Sequence, residues 1–97
     1  MRLAIVLGQV VATVKEPGLD RFSLLLVRDW ADEDPDLSTG PAYVAVDLVG
    51  AGVGEVVLVA AGGAARVAAG EQAPTDRAVV AIADTVIRDG AVRYRKT

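Results

Sequence analysis

Cysteine and histidine are absent from the 97 residues, which removes disulfide frameworks, Cys/His zinc sites, Ser-His-Asp triads and Cys-His pairs together. Aromatic residues are scarce: Phe22, Trp30, Tyr43 and Tyr94 make up the whole 4%, too few for the rows of stacking platforms that single-stranded nucleic acids need. Positive charge is not in excess either. Ten Lys and Arg stand against 13 Asp and Glu, a net charge of −3, with a pI near 4.7. Binding to a phosphate backbone is dominated by clustered cations, so no nucleic-acid partner is expected. Also missing is an apolar run of about 18 residues, the length of a membrane helix, because Lys15, Arg28, Asp47, Glu55 and Arg66 interrupt in turn. No membrane partner is expected either.

What remains is 53% hydrophobic and built mostly from Val and Ala, side chains that pack closely but fill little volume. A chain of this length makes one domain, spanning 1–97, and surface scaling allows it to bury roughly 64% of its extended surface. Such a core is modest, so self-association is expected. The basic start and apolar run Met1-Arg2-Leu3-Ala4-Ile5-Val6-Leu7 could open an export signal, yet strand-forming residues follow where a cleavage site should stand. The expected location is cytoplasmic, and no cofactor or metal is expected.

Read in order, residues 3–14 carry apolar side chains on both alternate rows, as in a strand buried on two faces. Glu16-Pro17-Gly18-Leu19 has the residues of a type II turn, and residues 22–27 give a second strand that closes a hairpin. Residues 29–36 hold five acids in eight positions, a solvated loop in which Trp30 alone could enter a core; Trp30 and the acids at 32–36 are expected on an exposed rim. Further strands are expected over 43–49, 55–60 and 78–87, with a short helix between the glycines at 62–70 and a last strand at 92–94. Several short strands and one small helix before the last long strand predict a mainly β fold: a small OB-like barrel of about five strands with one short helix.

The sharpest local feature is Gly50-Ala51-Gly52-Val53-Gly54. A dinucleotide fingerprint needs a further glycine where Glu55 stands and a helix afterwards, whereas a strand follows here. A sharp strand-to-strand bend, or close approach of identical backbones around a symmetry axis, accounts for the glycines better. Asp47 and Glu55 flank the run and could act as paired carboxylates, but with no histidine nearby, ion pairing with Arg66 or capping of backbone amides is the commoner fate. The acidic loop lacks the ligand spacing of a calcium loop. Arg88, Arg93, Arg95 and Lys96 make a basic tail suited to pairing with acids on a neighbouring subunit or docking surface.

Four segments, taken in order and spacing, carry a specific resemblance. They are Leu3-Ala4-x-Val6-Leu7-Gly8-x-Val10-Val11-Ala12-Thr13-x-Lys15; Val46-Asp47-x-Val49-Gly50-Ala51-Gly52-x-Gly54-Glu55-x-Val57; Gly62-x-x-Ala65-Arg66; and Pro74-x-Asp76-x-Ala78-Val79-Val80-x-Ile82-x-Asp84. Along nearly its full length the chain resembles the EutN/CcmL family of bacterial microcompartment shell vertex proteins, found in carboxysomes and metabolosomes. Arg21, Ser23, Gly63-Ala64, Arg77 and Ala81 depart from the family's usual residues. The resemblance implies a non-enzymatic structural protein, a homopentamer that caps the fivefold vertices of a polyhedral shell otherwise tiled by hexameric shell proteins. It also implies that Gly50, Ala51, Gly52 and Gly54 form the loop at the fivefold axis, supported by Asp47, Glu55 and Arg66. The rival reading is an OB-like barrel binding an oligonucleotide or oligosaccharide; a small enzyme using Lys15 and Asp47 is weaker still.

Overall fold

A computed structural model describes residues 1–32 and 40–96. Strand β1 (Arg2–Val10) alternates, with Ala4 and Val6 buried while Leu3 and Ile5 on the opposite row are half-buried. Between Val6 and Gly8 its register against the next strand shifts by one residue, leaving Leu7 outside the ladder and exposed. The first strand is therefore buried on one face only within a single chain. Val11 and Val14, read from sequence as part of it, lie beyond its end at 83% and 94% exposure.

The expected type II turn is a 3₁₀ turn over Pro17–Leu19, where the Glu16 carboxylate accepts the Gly18 amide at 2.7 Å. Glycine is required at 18 by close packing, since a Cβ there would stand 2.8 Å from both the Gln72 carbonyl oxygen and the Pro74 ring. Strand β2 (Ser23–Asp29) then pairs antiparallel with β1, so the expected hairpin is present.

Strand β3 (Tyr43–Asp47), β4 (Val56–Ala61), helix α1 (Gly63–Ala69) and β5 (Arg77–Ile82) complete a closed barrel in the order β1-β2-β3-β5-β4. All its pairings are antiparallel except β3 with β5, where Val46 faces Ala78 and Asp47 faces Val79. A parallel pair needs a long crossover, and here β4 and α1 supply it. The barrel interior is filled by Ala4, Val6, Leu25, Val27, Ala45, Val57, Val59 and Val79. A second cluster beneath α1 joins Phe22 and Val46 to Ala65, Ala69, Ala73 and Ala78. The small side chains of the helix let it lie close against the sheet.

The long strand expected over 78–87 is two strands. Past Ile82 the Ala83 amide still donates to Val56 at 2.9 Å, after which β6 (Thr85–Arg88) leaves the barrel and pairs only with β7 (Ala91–Arg95). Asp89 and Gly90 turn the hairpin with positive φ, +52° and +78°. The barrel has the expected five strands, and the hairpin is an addition outside it.

Trp30 is not on an exposed rim. It is 7% exposed and meets Tyr94 of β7 edge to face, with ring centroids 5.8 Å apart. The burial follows from the hairpin, which folds its Tyr94 back over the end of β2. Asp32 is held by Arg88 at 2.9 Å and Arg93 at 3.7 Å; Glu33, Asp34 and Asp36 lie outside the described residues. Among the described residues no helix is long and apolar enough to cross a membrane.

Candidate functional site

The glycine segment leaves β3 at Asp47 and returns to the barrel at Val56, and its amides are tied down one after another. The Asp47 carboxylate accepts Val49 and Gly50 on one oxygen, both at 3.1 Å, and Ala51 on the other at 3.0 Å. The next amide, Gly52, donates to Oε1 of Glu55 at 2.6 Å. Four consecutive backbone N–H groups are thus satisfied by the two flanking acids, so a loop with almost no side chains of its own keeps a defined shape. Gly54 N–H donates to the Val6 carbonyl at 2.9 Å, and Val6 N–H to that of Glu55 at 3.0 Å, which fastens the segment to β1. Gly50 and Gly54 take φ of +78° and +88°, the left-handed region that glycine enters without penalty.

Ala51 packs against the barrel core while Gly52 and Val53 stand exposed, Val53 at 71%. Gly52 has no positive φ, and a Cβ added to it would meet only the Glu55 carboxylate at 3.4 Å. The folded chain by itself therefore does not require glycine at 52.

Of the expected ion-pair set, Asp47 and Glu55 converge on the loop and Arg66 does not. Glu55 begins the β4 connection, whereas Arg66 lies on α1 beyond the far end of β4, six residues or about 20 Å along the strand. Glu55 pairs instead with the Lys96 ammonium at 2.8 Å. That ion pair and the Gly52 amide hold its carboxyl below the usual range, and the same contact pushes the Lys96 amine up. Asp47 is committed to amide capping, the alternative that its position beside glycines allowed. Within the basic tail, Lys96 pairs with Glu55, and Arg88 and Arg93 with Asp32, all in the same chain. No sequence signal marks Lys96 as part of this site, since the contact depends on how the hairpin docks.

A second polar cluster lies near Pro41. Asp29 accepts the Tyr43 hydroxyl at 2.8 Å and pairs with Arg2 at 2.6 Å, while the Arg77 guanidinium stands 5.7 Å from the Tyr43 ring centre. Burial, followed by the bond to Asp29, pushes the Tyr43 phenol up to about 12. These groups are mutually satisfied and leave no poised acid, base or nucleophile. Among the described residues no group of three or more acids could hold a metal ion.

Comparison with known proteins gives this geometry a context. Residues 1–84 match the family described as ethanolamine utilisation protein EutN/carboxysome. The chain is 43% identical over 98 residues to the bacterial microcompartment shell vertex protein EutN of Salmonella typhimurium, covering 99% of this chain and 96% of that one. Among solved structures, CcmL of Nostoc sp. superposes with a TM-score of 0.88 at 42% identity, covering 99% of this chain and 100% of that one. The GrpN pentameric microcompartment shell protein of Rhodospirillum rubrum superposes with a TM-score of 0.78 at 40% identity, covering 91% and 100%.

Proposed function

The chain belongs to the EutN/CcmL family, and from that premise we propose that it is a structural shell protein, a single 97-residue vertex domain that forms pentamers and caps the fivefold corners of a bacterial microcompartment. The observation that carries this is full-length likeness, above 40% identity, to a shell vertex protein, joined to structural likeness to a pentameric shell protein. Its place is in the shell, within the cytoplasm, and its role there is not catalytic. Its partners are four more copies of itself and, at the rim of the ring, the hexameric proteins that tile the facets.

The surface supports the reading. A closed barrel has used its own interior, yet Leu7, Val11, Val14, Val44, Val49 and Val53 remain exposed. Beyond Ile5 the ladder between β1 and β4 ends, and among the described residues 8–10 pair with β2 alone. A fivefold ring joins one patch to a different patch on the next copy, which suits an apolar surface without self-complementarity. The glycine loop belongs at the axis, where five copies of one segment crowd and the absence of a side chain at Gly52 acquires a reason. Oligonucleotide binding has less to work with: Phe22 and Trp30 are buried, and Tyr43 and Tyr94 are half-buried and already hydrogen-bonded.

Native mass spectrometry of the purified chain at micromolar concentration should give a pentamer. Co-expression with a hexameric shell protein should give closed polyhedra by electron microscopy, and omitting this chain should leave them open at the corners. A monomer, or shells that close equally well without it, would overturn the proposal.

A further inference from the structure

The end of the chain and the glycine loop meet at one carboxylate. Glu55 receives the Gly52 amide on Oε1 at 2.6 Å and the Lys96 ammonium on Oε2 at 2.8 Å. Lys96 is itself placed by backbone bonding: its N–H donates to the Asp84 carbonyl at 2.8 Å, across the base of the β6–β7 hairpin. Two residues earlier, the Tyr94 hydroxyl accepts the Val56 amide at 3.3 Å while its ring rests against buried Trp30. The hairpin is thus sewn to residues 55 and 56, the very point where the loop rejoins the barrel.

Gly52 is held at both ends by one residue, for its carbonyl accepts the Glu55 amide at 3.2 Å. It has no side chain and is exposed, and its own N–H has one acceptor, a carboxylate on a side chain with three rotatable bonds. Such a carboxylate keeps its aim only if its other oxygen is fixed. We propose that the β6–β7 hairpin positions the glycine loop through Lys96, which fixes Glu55, which in turn fixes the Gly52 amide, so that loop order depends on the docked tail. The consequence for an axial opening rests on the vertex reading; the coupling itself lies within one chain. Lys96 acts here as a positioning residue for the loop.

An exposed ion pair adds little to global stability, so the effect is local, in the amide protection of the loop. Hydrogen exchange on the full-length protein in its native assembly reads it. Lys96→Met should speed exchange at the Gly52 amide about tenfold while leaving the Gly54 amide, the barrel amides and the thermal midpoint unchanged. Lys96→Arg should restore protection, and Trp30 emission should stay constant in both variants because Tyr94 remains docked. Unchanged exchange at Gly52 in Lys96→Met would overturn the proposal, as would exchange in Lys96→Arg as fast as in Lys96→Met. A monomer by native mass spectrometry with the expected exchange pattern would sink the vertex reading and leave this coupling standing.

Discussion

At the scale of single residues, the chain's polar side chains mostly serve its own backbone. Asp47 spends its charge on three amides rather than on a substrate, and that use was legible, because an acid whose side chain can reach the amides two to four residues on, in a loop with glycines, is a common amide cap. Arg21 reaches the Ala69 carbonyl at the end of α1 at 2.6 Å and covers the Phe22 ring at 4.7 Å. Lys96 was not legible at all, since it stands 41 residues from Glu55 and reaches it only when the hairpin is docked. Tyr43 gives a pH test. Its phenol ionises near 10.0 when unfolded and about 12 when folded, so the folded chain prefers the protonated form. Its contribution is whole below pH 10, and it fades as pH rises through 12. Because the hydroxyl is partly solvated, the loss should be no more than about 1 kcal/mol. Urea denaturation of wild type and Tyr43→Phe at pH 8 and at pH 11.5 should show this alkaline loss in the wild type and a smaller one in the variant; equal losses in both would refute the assignment.

At the scale of elements, period and punctuation carried the reading far. The apolar run from residue 3, the leucine run of β2 and the glycines bounding α1 placed those elements to within a few residues, since their patterns arise from local geometry. The reading failed where tertiary structure decides. The apolar run from 78 to 87 is interrupted only by Asp84 and Thr85, and nothing local announces that β6 leaves the barrel there. Burial of Trp30 failed for the same reason, because its partner Tyr94 lies on that hairpin. Helix α1 shows the opposite case. Its residues Gly63-Ala64-Ala65-Arg66-Val67-Ala68-Ala69 bury only Ala65 and Ala69, and with Ala65 fully enclosed there is no room to grow. Ala65→Leu should destabilise the barrel by about 1–3 kcal/mol through overpacking, whereas Ala64→Leu on the exposed side should be within about 0.5 kcal/mol of wild type. Thermal or urea unfolding separates the two, and equal stability would mean that the helix stands off the sheet.

At the scale of the whole molecule, the glycine loop poses a question that one chain cannot answer. Gly50 and Gly54 are explained locally by positive φ, so replacing either with a side-chain residue strains the loop whether or not a ring forms. Gly52 is different, for its backbone is ordinary and the nearest atom to an added Cβ is a carboxylate oxygen at 3.4 Å. The sequence suggested glycine for positive φ and for close approach together; the structure removes the first reason at Gly52, and the proposed vertex role supplies the second from another copy. Gly52→Val should therefore leave the unfolding free energy of the isolated chain within about 0.5 kcal/mol of wild type while breaking or deforming the pentamer. Valine in place of exposed Ala64 supplies the control, which should assemble normally. Native mass spectrometry and electron microscopy of co-expressed shells read the difference. If Gly52→Val gives normal pentamers that still close shells, the loop does not crowd at the axis; a pentamer could stand without it, built on the apolar surface around Leu7 and Val11, and the glycines would serve only the bend between β3 and β4.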